Sequence, residues 1–216
     1  MGLGDGPSEW DDYEWVRLAD LPDTPPPPAP RVARAPREPL AEAVLAWLQR
    51  EGAWTAGSGT RVLLVDLDNL RADPVRWRER MGMVVALARQ ADEVALAGQE
   101  GAVRRARPHL VEYAARAHPV ADGSDLADHV LLDAAAAVPG RARFVLLSND
   151  WIFAGLADRG PLTVLSPGAD ALSDRLAAAA TRVADLAALE GGAGPVGSRP
   201  GRKAAFRASR GRRVRV

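Results

Sequence analysis

The spacing of apolar positions changes along the chain, and each change marks an element. From Pro39, Leu40, Val44, Trp47 and Leu48 recur at helix spacing, and "GAWTAGSG" closes that helix. "RVLLVD" (residues 61–66) is a continuous apolar run ending in an acid, which predicts a buried strand. Asp73 is a helix N-cap with Pro74 at the first helical position, ahead of a stripe of Trp77, Met81, Val84, Val85 and Ala88. "DEVALAG" predicts a second strand, and residues 99–116 a helix that Pro108 breaks or kinks. "AHPVADG" predicts a short third strand. "SDLADHVLLDAAAAV" predicts a helix capped by Ser124 and closed by Pro139-Gly140. "ARFVLLSND" reads as a fourth strand, followed by a short helix over 151–158, and "PLTVLSPG" as a fifth. The spacing of Leu172, Leu176, Ala179, Val183 and Leu186 predicts one long final helix.

Strands alternating with helices at this rhythm predict an α/β fold, a Rossmann-like three-layer αβα sandwich with a mainly parallel sheet of about five strands. The pattern confines this domain to residues 38–190. Residues 1–37 form an acidic, Pro-rich leader ending in "PPPPAP", a polyproline II sequence. Trp10, Tyr13 and Trp15 within it supply apolar area for docking on a protein partner. Residues 191–216 form a basic tail of a composition that predicts disorder.

Charge adds an asymmetry that the zero net charge hides. Residues 1–25 carry seven acids against Arg17 alone, and residues 191–216 carry eight basic residues and no acid, so a polyanionic partner is one expectation. The chain has no cysteine, which excludes disulfides, thiol catalysis and thiolate metal sites. Its three histidines, His109, His118 and His129, show no zinc-site pairing. No stretch approaches the ~18 to 20 apolar residues of a membrane span. The N-terminus is acidic where a signal peptide is basic, so a cytoplasmic location is the expectation.

The candidate chemistry lies in acids placed where strands end. Asp66 and Asp68 close the first strand, Asp122 and Asp125 bracket the entry to the helix after the third, and Asp150 follows the fourth. Sites in open α/β sheets form at the carboxyl ends of strands, where strand order reverses. If the first and fourth strands are neighbours, these carboxylates converge, and converging carboxylates repel unless a cation sits among them. Hard oxygen ligands without Cys suit Mg2+ or Mn2+, whose use in such sites is phosphodiester hydrolysis. Asp125 is the expected ligand from the helix because it falls in the expected first turn. Asp128, one turn on, is a second choice, and His129 shares its face.

Two families share the opening motif. Asp66-Leu67-Asp68 and the strand "FVLLS" ending in Ser148 resemble the haloacid dehalogenase phosphatases. That family also needs a Lys on the phosphate, and here no Lys precedes Lys203, so a phosphatase is the lesser alternative. Asp66-Leu67-Asp68-Asn69, then Asp122-Gly123-Ser124-Asp125, then Ser148-Asn149-Asp150-Trp151-Ile152-Phe153, resemble in order the three motifs of the NYN domain, a branch of the PIN-like ribonucleases. The resemblance covers residues 60–170. The chain departs from the family at Leu67 and Asn149, where glycines stand, at Ile152, where a second Asp stands, and in lacking a Lys before Asp125.

This resemblance implies a PIN-like fold and a metal-dependent endoribonuclease. Asp66, Asp125 and Asp150, with Asp128 in reserve, hold Mg2+ or Mn2+, Asn69 orients water or a ligand, and water attacks phosphorus in line. The alternative is a non-catalytic member that binds nucleic acid or protein. RNA contacts are expected from Arg71, Arg104 and Arg105, from Arg207 and Arg210 in the tail, and from Trp151 stacking on a base.

Overall fold

Residues 62–65 of the first strand are buried without interruption, and the reason is that both faces of their sheet are covered. In the computed structural model, which describes residues 38–55, 57–123 and 125–191, the sheet has six strands. They are β1 (Thr60–Asp66), β2 (Glu93–Gln99), β3 (Ala117–Val120), β4 (Ala142–Leu147), β5 (Leu162–Ser166) and β6 (Arg182–Asp185). All are parallel, in the order β3-β2-β1-β4-β5-β6.

Successive strand residues point to opposite faces, and the core divides accordingly. Leu63 and Val65 of β1 face one layer with α1 (Pro39–Arg50), α2 (Pro74–Ala88) and α3 (Glu100–Leu110). Val62 and Leu64 face the other, with α4 (Leu126–Ala137) and α5 (Asp174–Ala179). The three-layer αβα sandwich is therefore as the alternation predicts. The Asp73 cap is also present, its carboxylate accepting from the backbone N–H groups of Val75 and Arg76 at 3.0 and 3.1 Å.

Three elements differ from the sequence expectation. The long final helix is instead α5, the strand β6 and a short α6 (Leu186–Glu190). Ala180 ends α5, and the backbone N–H of Thr181 donates to Leu162 at 2.7 Å, starting a ladder along β5. Without β6 that edge of β5 would leave its backbone groups unpaired, and the β-branched Thr181 and Val183 favour extended backbone. Residues 99–116 do not break at Pro108. The burial of Val103, Ala106 and Leu110 carries α3 through it to Leu110, and a 3-10 segment follows from Val111, where φ is 47°. The 151–158 helix is likewise a 3-10 segment, with Phe153 and Leu156 buried. The expected Ser124 cap, leader and tail lie outside the described residues.

The strand order reverses between β1 and β4, so the carboxyl ends of these two strands form the natural crevice of the sheet. Among the described residues, no helix is long and apolar enough to cross a membrane.

Candidate metal centre

Pairing of Val65 with Leu147 sets the ends of β1 and β4 side by side. Asp66 is the last residue of β1, and Asp150 follows β4 after Ser148 and Asn149. The third acid is Asp128, in the first turn of α4. Asp66, Asp128 and Asp150 each offer a carboxylate oxygen, and these oxygens all lie within 4.8 Å of one another. Asp66 and Asp128 are buried, and Asp150 is the most open of the three.

The helix contributes Asp128 and not the expected Asp125, because α4 begins one residue later than the Ser124 cap suggests, with Asp125 itself in the N-cap position. Asp125 lies outside the helix in left-handed backbone (φ 64°), with its side chain exposed. Asp128 falls within the first turn, where side chains lean back towards the helix N-terminus, here towards the strand ends. His129 is exposed on the outer side.

Neutral donors hold two of the carboxylates. Asp66 Oδ1 accepts from the backbone N–H groups of Asp68 and Asn69 at 3.0 and 3.3 Å. Its Oδ2 accepts from the Asn69 amide and from Ser148 Oγ, the latter at 3.2 Å. The Asn69 amide also donates to Asp150 Oδ2 at 3.3 Å, and Ser148 Oγ accepts from the Asp150 N–H at 3.2 Å. These bonds fix side-chain direction without neutralising charge.

The electrostatics record that deficit. Burial pushes the Asp128 carboxyl up to about 7, with the charges of Asp66, Asp150 and Asp125 adding to the shift and His129 offsetting part of it. Burial also raises Asp66, against the lowering effect of the hydrogen bonds from Asn69 and Asp68. A divalent cation removes both penalties at once. Three hard oxygen donors without nitrogen or sulfur suit an ion of the Mg2+, Mn2+ or Ca2+ kind.

Other residues expected at the site have different work. Asp68 accepts from the Gln99 N–H at 2.6 Å and pairs with Arg71 at 2.9 Å, so its carboxylate serves the end of β2. Gly98 makes room for it: a Cβ there would lie 3.0 Å from Leu67 Cβ and 3.3 Å from Asp68 Oδ2. Leu67 is buried in the core. Asn149 is a buried tie between strand ends, accepting from Ser166 Oγ at 2.7 Å and donating to the Gly168 carbonyl at 3.4 Å. Ile152 packs beside the core cluster of Phe153 and Leu156.

Arg71, Arg104 and Arg105 are exposed. Arg105 stacks over Trp77, 4.5 Å from the ring centroid. Trp151 is 54% exposed and stands next to Asp150. Arg175 of α5 lies over its ring at 4.8 Å, a partner whose place at the rim depends on the α5 boundary that the sequence pattern does not give. Arg207 and Arg210 lie outside the described residues.

The strand order is that of dinucleotide-binding sheets, whose first loop cradles pyrophosphate with glycines. Here that loop reads Asp66-Leu67-Asp68-Asn69-Leu70-Arg71, which has no glycine and presents carboxylates in their place. A phosphate meets repulsion at the three clustered carboxylates until a cation intervenes. Compared with models of known protein families, with curated proteins and with solved structures, the chain matches none.

Proposed function

We propose that the protein is a metal-dependent endoribonuclease of the PIN-like, NYN type. One observation carries the reading: three carboxylates from β1, α4 and the end of β4 present oxygens within 4.8 Å of one another at the crevice of a parallel sheet. Mg2+ or Mn2+ held there supplies a Lewis acid for a phosphodiester oxygen and acidifies water.

The chain's own residues orient and hold. Asn69 spans Asp66 and Asp150, and Ser148 ties Asp66 to the backbone of Asp150, so both carboxylates point into the crevice before the ion arrives. Without an ion Asp128 is partly protonated near neutral pH, and a cation held there would displace that proton. Arg71, Arg104 and Arg105 carry positive charge beside the acids and attract a phosphate backbone irrespective of its sequence. Trp151, held by Arg175, offers an aromatic surface to an unpaired base of single-stranded RNA.

The test is end-labelled single-stranded RNA incubated with Mn2+, with Mg2+, or with EDTA. Cleavage with the ions, none with EDTA, and none from Asp66→Asn is the expected result. The replacement of a carboxylate by Ile152 favours a second reading, a binding member of the same kind that holds RNA without cutting it. Metal-dependent binding with intact RNA in the same assay identifies that case.

A further inference from the structure

A cleft of about 400 Å³ opens at the carboxyl ends of β1 and β2, next to the carboxylate centre. It shares the β1 loop with that centre, since Leu67, directly after Asp66, lines it. Its volume lies in the range of small-ligand sites. Its charged lining is Arg71, Arg104 and Arg105 against Glu100 and Asp122, an excess of one positive charge.

Two of the arginines are set in place in advance. Arg71 bonds Asp68 at 2.9 Å and Gln99 Oε1 at 3.3 Å. Arg105 stacks on Trp77 and donates to the Ala72 carbonyl at 3.2 Å. A planar guanidinium so fixed loses little freedom on meeting a phosphate, which it can bond through two N–H groups. Trp77 lines the same cleft, is 3% exposed, and among the described residues its buried indole N–H has no hydrogen-bond partner. The first turn of α3 also borders the cleft, and its N-cap residue Gln99 makes no side-chain cap, so N–H groups there are open to an anion.

The acids narrow the ligand class. A phosphodiester has no donor for Glu100 or Asp122, whereas the sugar hydroxyls of a nucleotide donate to carboxylates. We propose that this cleft binds one nucleotide of the substrate strand beside the bond cut at the carboxylate centre, a reading that rests on the ribonuclease proposal. Its phosphate meets Arg71, Arg104 and Arg105, and its hydroxyls meet Glu100 and Asp122.

The experiment titrates the full chain in EDTA with 5′-UMP, with uridine and with inorganic phosphate, read by calorimetry and by tryptophan fluorescence. The expected result is saturable binding of 5′-UMP, at least several-fold tighter than phosphate or uridine, weakened about tenfold in Arg104→Ala. Arg104 is exposed and helical, so its replacement by alanine leaves the helix intact. Phosphate binding as tightly as 5′-UMP overturns the nucleotide assignment, and so does equal 5′-UMP affinity in parent and Arg104→Ala. No 5′-UMP binding from a parent that cuts RNA with Mn2+ overturns the cleft while the ribonuclease reading stands. Binding of 5′-UMP as described by a parent that cuts no RNA leaves a nucleotide site but removes the ribonuclease reading, and with it the substrate-strand role assigned to the cleft.

Discussion

The side-chain amide of Asn69 donates to carboxylates at two different strand ends, Asp66 and Asp150, reaching Asp150 Oδ2 at 3.3 Å. In the absence of a cation this amide is the bridge that lets two acids face one crevice. Asn69→Ala leaves both without it and should cost about 1–3 kcal/mol in EDTA, the range for a buried acceptor that loses one partner. Asp66 keeps its bonds from the loop N–H groups and Ser148. A saturating divalent ion takes over the bridging, so the deficit should shrink with Mn2+. Urea unfolding under the two conditions measures both values, and an unchanged midpoint in EDTA counts against the bridge.

The pH dependence of stability follows from Asp128. Its carboxyl stands near 7 in the folded chain and near 3.8 as an ordinary side chain, so the folded state retains a proton that the unfolded state has released between those values. Stability without metal should therefore fall as pH rises from about 4 to about 7, by up to ~1.4 kcal/mol per unit, and level off above. Asp66, also raised, adds a fall of the same sign. Unfolding midpoints from pH 4.5 to 8 in EDTA should lose most of this slope in Asp128→Asn. An equal slope in both proteins would show that Asp128 is not the group responsible.

Asp125 and Asp128 can be separated directly. Asp128→Ala removes one of three clustered carboxylates and should reduce Mn2+ affinity by more than the about 10–100-fold typical of residues that only support a ligand. Asp125→Ala removes an exposed charge and should change affinity by no more than a few-fold. Calorimetric titration of both variants decides between them.

This pair also shows where the sequence was legible. Asp66 and Asp150 could be placed because a buried strand ends where its apolar run ends, and parallel strands bring their carboxyl ends to one edge. Among the helix acids the choice between Asp125 and Asp128 could not be made, because it depends on a start one residue later than the Ser124 cap suggests, with left-handed backbone at Asp125. β6 was hidden for a related reason. Leu176, Val183 and Leu186 fit a helical stripe as well as they fit α5, β6 and α6, and only the open edge of β5 distinguishes the two. The roles of Asp68 and Asn149 depend on contacts with Gln99 and Ser166, which no spacing along the chain reveals.

Trp151 stands beside Asp150 with Arg175 over its ring. Stacking of a base is worth about 1–3 kcal/mol by alanine substitution. In an Asp66→Asn background, chosen to keep RNA uncut, Trp151→Ala should weaken oligouridylate binding by roughly 5- to 150-fold, the same energy expressed as affinity. Trp151→Phe should recover much of the loss. Fluorescence anisotropy measures each, and an unaltered affinity in Trp151→Ala removes the platform.

The β1 loop is attached to the core through one buried arginine. Arg80 is 4% exposed and donates to the carbonyls of Leu70, Arg71 and Pro167 at 3.3, 3.4 and 3.2 Å. Its charge is met by Glu190 at 2.6 Å, at the end of α6. The pair therefore ties the end of the described chain to the loop that carries Asn69. Glu190→Ala strands a buried guanidinium and should cost about 3–5 kcal/mol, whereas replacing both partners by apolar residues, Arg80→Met with Glu190→Leu, should recover most of that stability. The double variant should still weaken the proposed RNA cleavage, because without Arg80 the loop carbonyls lose the anchor that Glu190→Ala keeps. Truncation after Leu189 should lose at least as much stability as Glu190→Ala. A loss below about 1 kcal/mol in Glu190→Ala would mean that the three carbonyls hold Arg80 without its partner.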